Sequence, residues 1–223
     1  MGCGSGVTCW RRLHEWQQAG VWQRLHRVLL DQMGYANAID RDRAAVDSVS
    51  VPVKWGTRRP ARPPTYPGKL GSRRHILVGA NAPLAPRFSS PNRHDSKFLE
   101  ALVDAVPAIR QCAGWPRRRP AELHADGGYD FAHCRRALHR RTIIPRIARR
   151  GSESSERLCR HRWVVERTLG RLARFVHIAV HYERRADTFT AFYDIAASLI
   201  CWRIVQRWSF LGALNLKEEC YLR

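Results

Sequence analysis

Three acids in this 223-residue chain sit where carboxylates could do chemistry. Asp47 lies in the middle of AAVDSVSVPV (44–53), a β-branched run that reads as a strand, and strand interiors disfavour Asp. Asp126 closes a short strand over 122–125 and precedes Gly127 and Gly128; ligands gather at such strand ends in α/β sheets. Glu166 falls on a helix over 162–173, next to Val164 and Val165. Carboxylates are hard oxygen donors, and three at one point would hold Mg²⁺ or Mn²⁺. Two such ions, about 3.5–4 Å apart, can activate a nucleophilic oxygen and hold the leaving oxygen of a phosphodiester. Each acid alone has an ordinary reading too. Asp47 suits a turn or sheet edge, Asp126 suits an Asp-Gly turn, and Glu166, flanked by Arg162 and Arg167, suits a helical ion pair.

The elements that must position them follow from the patterning. Residues 8–33 read as two short helices, the first capped by Thr8 and carrying Trp10, Leu13 and Trp16 on one face. Packing on a core fits this pair better than a DNA-reading helix-turn-helix, because Trp residues on short helices act as anchors. After the strand over 44–53, residues 54–71 hold four Pro, three Gly and five bases and read as a long extended basic loop. Strands over 75–79 and 84–89 follow, joined by a short turn around Asn81. A helix spans 96–106 and stops at Pro107. The strand over 122–125, a helix over 130–140 and a strand over 142–147 come next. Residues 152–160 read as a polar, mobile segment, and 162–173 and 188–208 as helices. The order β-β-β-α-β-α-β-α, with helices at both ends, is that of a ribonuclease-H-like α/β fold with a mixed sheet. In such a sheet the first and fourth strands are neighbours, so Asp47 and Asp126 converge and Glu166 descends from the helix. The expected organisation is an N-terminal helical segment over 1–40 (a partial DNA-binding region), a catalytic domain over 41–210 and a C-terminal tail over 211–223.

Charge names the partner class. Lys and Arg number 39 against 19 acids, a net charge of +20. Residues 51–150 alone carry 21 bases and six acids. Such a field condenses on phosphate chains. Only four of the bases are Lys, and Arg forks suit bidentate phosphate contacts, although GC-rich coding also enriches Arg. A membrane is not the expected partner: no apolar run approaches roughly 18 residues and no basic amphipathic helix stands out. The seven cysteines are odd in number and lack C-x-x-C spacing, which disfavours a disulfide framework or zinc ribbon and suits a reducing cytoplasm with core thiols. The first residues carry no basic, apolar leader.

The segments GCGSGVTCWRRLHEWQQAGVWQRLH (2–26), AVDS (45–48), SRRHILV (72–78), NRHD (92–95), ADGGYD (125–130), RWVVERTLGRL (162–172) and ERRAD (183–187) keep the order of a known family. The chain resembles a DDE transposase of the bacterial insertion-sequence four/five group. The resemblance implies that Asp47, Asp126 and Glu166 are the catalytic, metal-binding triad, with two Mg²⁺ or Mn²⁺ ions. It places Arg162, one turn before Glu166, against DNA phosphate. It also shows departures: Gly127 where the family has a basic residue, Cys159 where a Tyr is usual, Ala173 for a later base, and a hairpin over 79–86 that is one residue short. Family members begin with a longer region ahead of GCGSG, so the resemblance implies a chain truncated at its N-terminus.

The expected function is cutting and joining of DNA phosphodiesters at insertion-sequence ends by in-line displacement, first by water and then by the freed 3′-hydroxyl. Arg58, Arg59, Lys69, Arg73, Arg74, Arg117, Arg118, Arg119, Arg162 and Arg167 are the expected phosphate contacts. Trp55 and Tyr66 suit loop anchoring more than base stacking. Double-stranded DNA, as terminal repeats and target, is the expected partner; a homodimer follows from the need to hold two ends, and a cytoplasmic, nucleoid-associated location from the substrate. The rival readings are a catalytically inactive remnant that only binds DNA, a basic RNA-binding protein, and a plain nuclease.

Overall fold

The computed structural model describes residues 4–40, 42–54, 71–79, 82–112, 114–149, 155–183 and 185–221, with the backbone path alone for 155–162 and 209–221. Helices α1 (Gly6–Gln18) and α2 (Val21–Tyr35) precede strands β1 (Arg43–Pro52), β2 (Gly71–Gly79) and β3 (Ala82–Ser89). A 3₁₀ turn (Asp95–Phe98) leads into α3 (Leu99–Asp104), followed by β4 (Glu122–Ala125), a second 3₁₀ turn (Gly127–Tyr129), α4 (Ala132–His139) and β5 (Ile144–Ile147). Helices α5 (Ser155–Leu172), α6 (Val176–Ala179) and α7 (Ala186–Tyr221) complete the chain.

The sheet order is β3-β2-β1-β4-β5. Strands β1, β2 and β3 form an antiparallel meander, while β4 runs parallel to β1 and β5 parallel to β4. This mixed sheet, with helices on its faces, is the ribonuclease-H-like arrangement. Alternation along the strands divides the core. Ala44, Val46, Leu77, Leu123 and Ala125 join a cluster with α2, α3 and α4, whereas Ala45, Ile76 and Val78 join Val165, Leu172, Tyr193 and Ala197 of α5 and α7. A register shift between Leu77 and Val78 gives β3 one residue more than its partner, so the 79–86 hairpin closes through a bulge.

Several boundaries differ from the sequence reading for local reasons. Ser5, not Thr8, caps α1 and accepts from the Thr8 amide at 3.3 Å. The pair of helices is anchored in the core by α2: Leu30 and Met33 are fully buried, while α1 rests against α7 with no buried residue and Trp10 and Trp16 exposed. Truncating a side chain as enclosed as Leu30 to Ala typically costs about 3 kcal/mol. The helix expected over 96–106 opens as the 3₁₀ turn, because His94 caps the Ser96 amide. β2 begins at Gly71, four residues before the expected start. Residues 155–160, expected to be mobile, belong to α5, and α7 runs through residues 211–221, expected as a tail.

One expectation about apolar length is corrected. The segment Ala186–Trp208 of α7 is long and apolar enough to cross a membrane by length and composition, with mean hydropathy 1.3. Over half of that stretch is buried inside the protein, where Phe189, Ala191, Tyr193, Ala197 and Cys201 fill the core. Burial of this kind is what a core helix requires. Cys134 and Cys201 are core thiols as expected, and burial pushes them up to about 11 and about 12; Cys9 and Cys112 are exposed.

Candidate active site

The site forms where β4 ends beside the middle of the parallel strand β1. Their pairing aligns Ala45 with His124, and two residues further along each strand stand Asp47 and Asp126. Neighbouring strands lie about 4.8 Å apart, so this register sets Asp47 and Asp126 on adjacent strand paths, past the end of the paired stretch. Asp47 pairs with Ile76 of β2 and therefore shares the face of Ala45 and Ile76, the face that α5 covers. Its Oδ1 accepts from the Ser48 amide at 2.7 Å. Asp126 caps the 3₁₀ turn, its Oδ1 accepting from the Gly128 amide at 3.0 Å. The two glycines are thus explained locally: a Cβ on Gly128 would stand 2.9 Å from that same Oδ1. Glu166 lies on α5, one residue after the buried Val165, and its side chain is exposed. The strands that lead to Asp47 and Asp126 are neighbours, and Glu166 lies on α5, whose buried Val165 packs on the Ala45–Ile76 face.

A fourth acid enters here. Asp95, at the start of the 3₁₀ turn after β3, accepts through Oδ2 from Ser48 Oγ at 2.9 Å and from Arg73 Nη2 at 2.6 Å. Arg73 Nε also donates to Ser48 Oγ at 3.1 Å, which closes a triangle. Asp95 Oδ1 is buried and lacks a hydrogen-bond partner, with His75 Nδ1 at 3.6 Å. Burial raises the Asp95 carboxyl above its ordinary range, against the pull of Ser48 and Arg73, and the Asp126 charge adds to the rise. His75 is fully buried, stacks on Phe98 and bonds Ser89 Oγ at 2.9 Å; burial, then Arg73, pushes it down to about 4, so it is neutral near pH 7. Tyr129 is buried with an unpartnered hydroxyl, and its phenol is held far from ionisation by burial and then by Asp95, Asp47 and Asp126. Tyr129 therefore senses three acids drawn from β1, the turn after β3 and the end of β4.

Carboxylate oxygens are donors of the kind a hard divalent cation takes, and buried oxygens on Asp95 and Tyr129 lack hydrogen-bond partners. Among the described residues, no three His, Cys, Asp or Glu side chains make a ready cage.

The expected DNA contacts divide. Arg58, Arg59 and Lys69, with Trp55 and Tyr66, lie outside the described residues, as does the side chain of Arg162. Arg74 is a correction: it is buried, its Nη1 donates to the Ile178 carbonyl at 3.3 Å, and it belongs to the sheet–helix core, beyond the reach of a phosphate. The alternation that exposes one arginine of the Arg73–Arg74 pair must bury the other. Arg73 is committed to Asp95 at the site. Arg117 pairs with Asp42 at 3.4 Å, Arg118 and Arg119 are exposed, and Arg167 lies over the Trp163 ring at 4.3 Å. A basic stripe escaped the sequence reading: His133, Arg136 and His139 of α4 and the following Arg140, with Glu100, line a depression of about 470 Å³. The signal was present, since α4 carries bases on its exposed side and no acid.

The family model for the transposase DDE domain matches residues 39–201, most of the chain. This protein belongs to the DDE transposases. The chain is 41% identical over 155 residues to a Burkholderia cepacia protein named as a candidate transposase for insertion sequence element IS402, covering 69% of this chain and 74% of that one. It is 67% identical over 51 residues to an uncharacterized 16.2 kDa protein of insertion element IS402 from the same organism, covering 23% of this chain and 35% of that one. Among solved structures, the catalytic domain of Mos1 mariner transposase matches at 7% identity with TM-score 0.40, covering 84% of this chain and 88% of that one. A chain of the simian T-cell lymphotropic virus intasome in complex with the PP2A regulatory subunit B56 gamma matches at 15% identity with TM-score 0.44, covering 74% of this chain and 48% of that one. The transposase is thus of the bacterial insertion-sequence kind expected from its motifs.

Proposed function

We propose that this transposase cuts and joins DNA phosphodiesters at the ends of an insertion sequence, with Asp47, Asp126 and Glu166 as ligands of two Mg²⁺ or Mn²⁺ ions. The observation that carries this reading is the parallel β1–β4 pairing, whose register sets Asp47 beside Asp126 beneath the helix that bears Glu166. Bound divalent ions would supply Lewis acidity toward the attacking and leaving oxygens. The chain's own residues do the rest. The Ser48 and Gly128 amides orient the two aspartates. Tyr129, buried in the core, lies within electrostatic reach of them as a neutral phenol. Exposed Arg118 and Arg119, with Arg136 and Arg140, would meet the backbone of double-stranded DNA, and a homodimer would hold two ends for joining.

Purified protein incubated with Mg²⁺ and a supercoiled plasmid carrying the element's ends tests the reading. Nicking and joined products are expected, and Asp126→Asn should abolish both. Products without joining would mark a plain nuclease, and preference for RNA without metal dependence would mark an RNA-binding protein. The absence of a ready three-ligand cage among the described residues favours a second reading, a remnant that only binds DNA. In that case the plasmid would be bound and left intact.

A further inference from the structure

Trp115 is 90% exposed, more than any other large apolar side chain among the described residues. The loop that carries it is nevertheless held firmly. Ile109 and Arg117 exchange both backbone hydrogen bonds at 3.0 Å, which closes the loop, and Ile109 and Pro120 are buried. The Arg110 amide donates to Asp31 Oδ1 of α2 at 2.7 Å, and the Arg110 carbonyl lies so close to α2 that a Cβ on Gly34 would collide with it. Gly114, at φ +85°, supplies the left-handed turn just before the tryptophan. The indole anchors none of this; a base that is fixed without it presents it to solvent. Arg117, Arg118 and Arg119 follow and are exposed. Arg119 Nη1 donates to the Arg141 carbonyl at 3.4 Å, just past the end of α4. From there the exposed Arg140, Arg136 and His133 lead back along one face of the helix, with His139 beside them. Glu100, which shares their depression, is taken up by Arg140 at 3.1 Å and Arg141 at 3.3 Å. The eight residues of α4 cover about 12 Å. The helix begins shortly after the turn that Asp126 caps, whereas the 114–119 loop enters β4 at its other end. The bases therefore run from beside one aspartate, along α4, to Trp115.

We propose that the outer face of α4 and the 114–119 loop form one track for DNA leading away from the aspartates, and that Trp115 at its end stacks on an unpaired base. This rests on the reading above only in taking DNA as the substrate. Cations in line with an aromatic ring are how proteins hold unpaired nucleic acid: the cations follow the phosphates and the ring covers a base face. The four residues of β4 separate the loop from Asp126 by roughly 13 Å of strand, so Trp115 meets DNA outside the bond that is cut. The arginines meet phosphate in any DNA, whereas the indole needs a base whose face is uncovered, which a closed duplex does not offer. The contribution of Trp115 is therefore tied to the state of the DNA, and that of the arginines is not.

The test is fluorescence anisotropy of the full chain on labelled DNA, without divalent ions. One probe is a fully paired duplex; the other is the same duplex interrupted by a short unpaired stretch that contains 2-aminopurine. The parent should bind the interrupted probe more tightly and quench its 2-aminopurine. Trp115→Ala should weaken binding to that probe by about 5–100-fold and lose the quenching, with affinity for the paired duplex within about twofold of the parent's. Trp115→Phe should recover most of the loss, since its ring still stacks. Arg118→Ala and Arg136→Ala should weaken both probes alike, each lowering the salt slope by about one. The indole is exposed, so the melting temperature of Trp115→Ala should match the parent's. Equal losses on the two probes, or parental binding in Trp115→Ala, would overturn the inference. So would a parent that sediments as a dimer beside a Trp115→Ala variant that does not, which would make the loop a contact between copies. A parent that binds both probes as expected but nicks no plasmid would overturn the catalytic reading and leave this one standing. A parent with no affinity for DNA would overturn both.

Discussion

Two carboxylates of this transposase are enclosed beside different partners. At the end of the sheet, Asp95 is enclosed with an arginine, a serine hydroxyl and the neighbouring acids of the candidate site. In the helical layer, Asp194 of α7 is only 4% exposed and accepts from Gln23 Nε2 of α2 at 2.6 Å. Burial, resisted by that one amide, pushes the Asp194 carboxyl up to about 7. Burial raises both carboxyls; at Asp95 a serine hydroxyl and an arginine oppose the rise, and at Asp194 a single amide does. The first arrangement suits a place where another cation must be managed. The second joins α2 to α7 and needs no charge at all.

The contrast can be broken most severely at the sheet's end. Asp47→Asn should abolish nicking while leaving the melting temperature within a few degrees of the parent, since the amide can still accept from Ser48. A loss of fold instead would make Asp47 a structural residue. Next in size, Arg73→Ala leaves Asp95 enclosed without its cation, and urea unfolding should show a loss of about 2–3 kcal/mol. An unchanged midpoint would mean the pair contributes nothing.

Asp194 provides the pH arm. Its folded value lies above the ordinary carboxylate value of 3.8, so the stability it contributes is complete below that value and is lost as pH rises toward about 7. Melting curves between pH 5 and pH 8 should therefore fall more steeply for the parent than for Asp194→Asn. His26, pushed down to about 4 by burial, acts with the opposite sign, and comparing parent with variant cancels it. Equal slopes in the two proteins would remove Asp194 from the account. The smallest effect belongs to the exposed pair Arg185–Asp187: despite a 2.7 Å contact, Arg185→Ala should leave the urea midpoint unchanged.

Much of the scaffold was legible because local chemistry and tertiary need agree. β4 was read to the residue and β1 to within one, since a β-branched run and a strand closed by Asp-Gly-Gly leave little choice. The element order then set β1 beside β4, so the approach of Asp47 to Asp126 was legible as well. What stayed hidden depends on register. Arg73 and Arg74 are adjacent and chemically alike, and only the pairing of β2 with β1 decides that one meets Asp95 and the other is buried against Ile178. Asp95 lay in plain view in NRHD, but an acid ahead of an apolar helix reads as a cap; its partner Ser48 is 47 residues away in sequence. The 3₁₀ turn there depends on the His94 ring accepting from the Ser96 amide, a detail that periodicity does not carry.

The most direct test of the central claim is an anomalous diffraction map from crystals of the protein soaked in Mn²⁺. The account predicts a manganese peak with carboxylate oxygens of both Asp47 and Asp126 within about 2.5 Å, and Glu166 turned toward it. A fully soaked crystal whose manganese lies elsewhere, with those two aspartates bound only to protein groups, would contradict it.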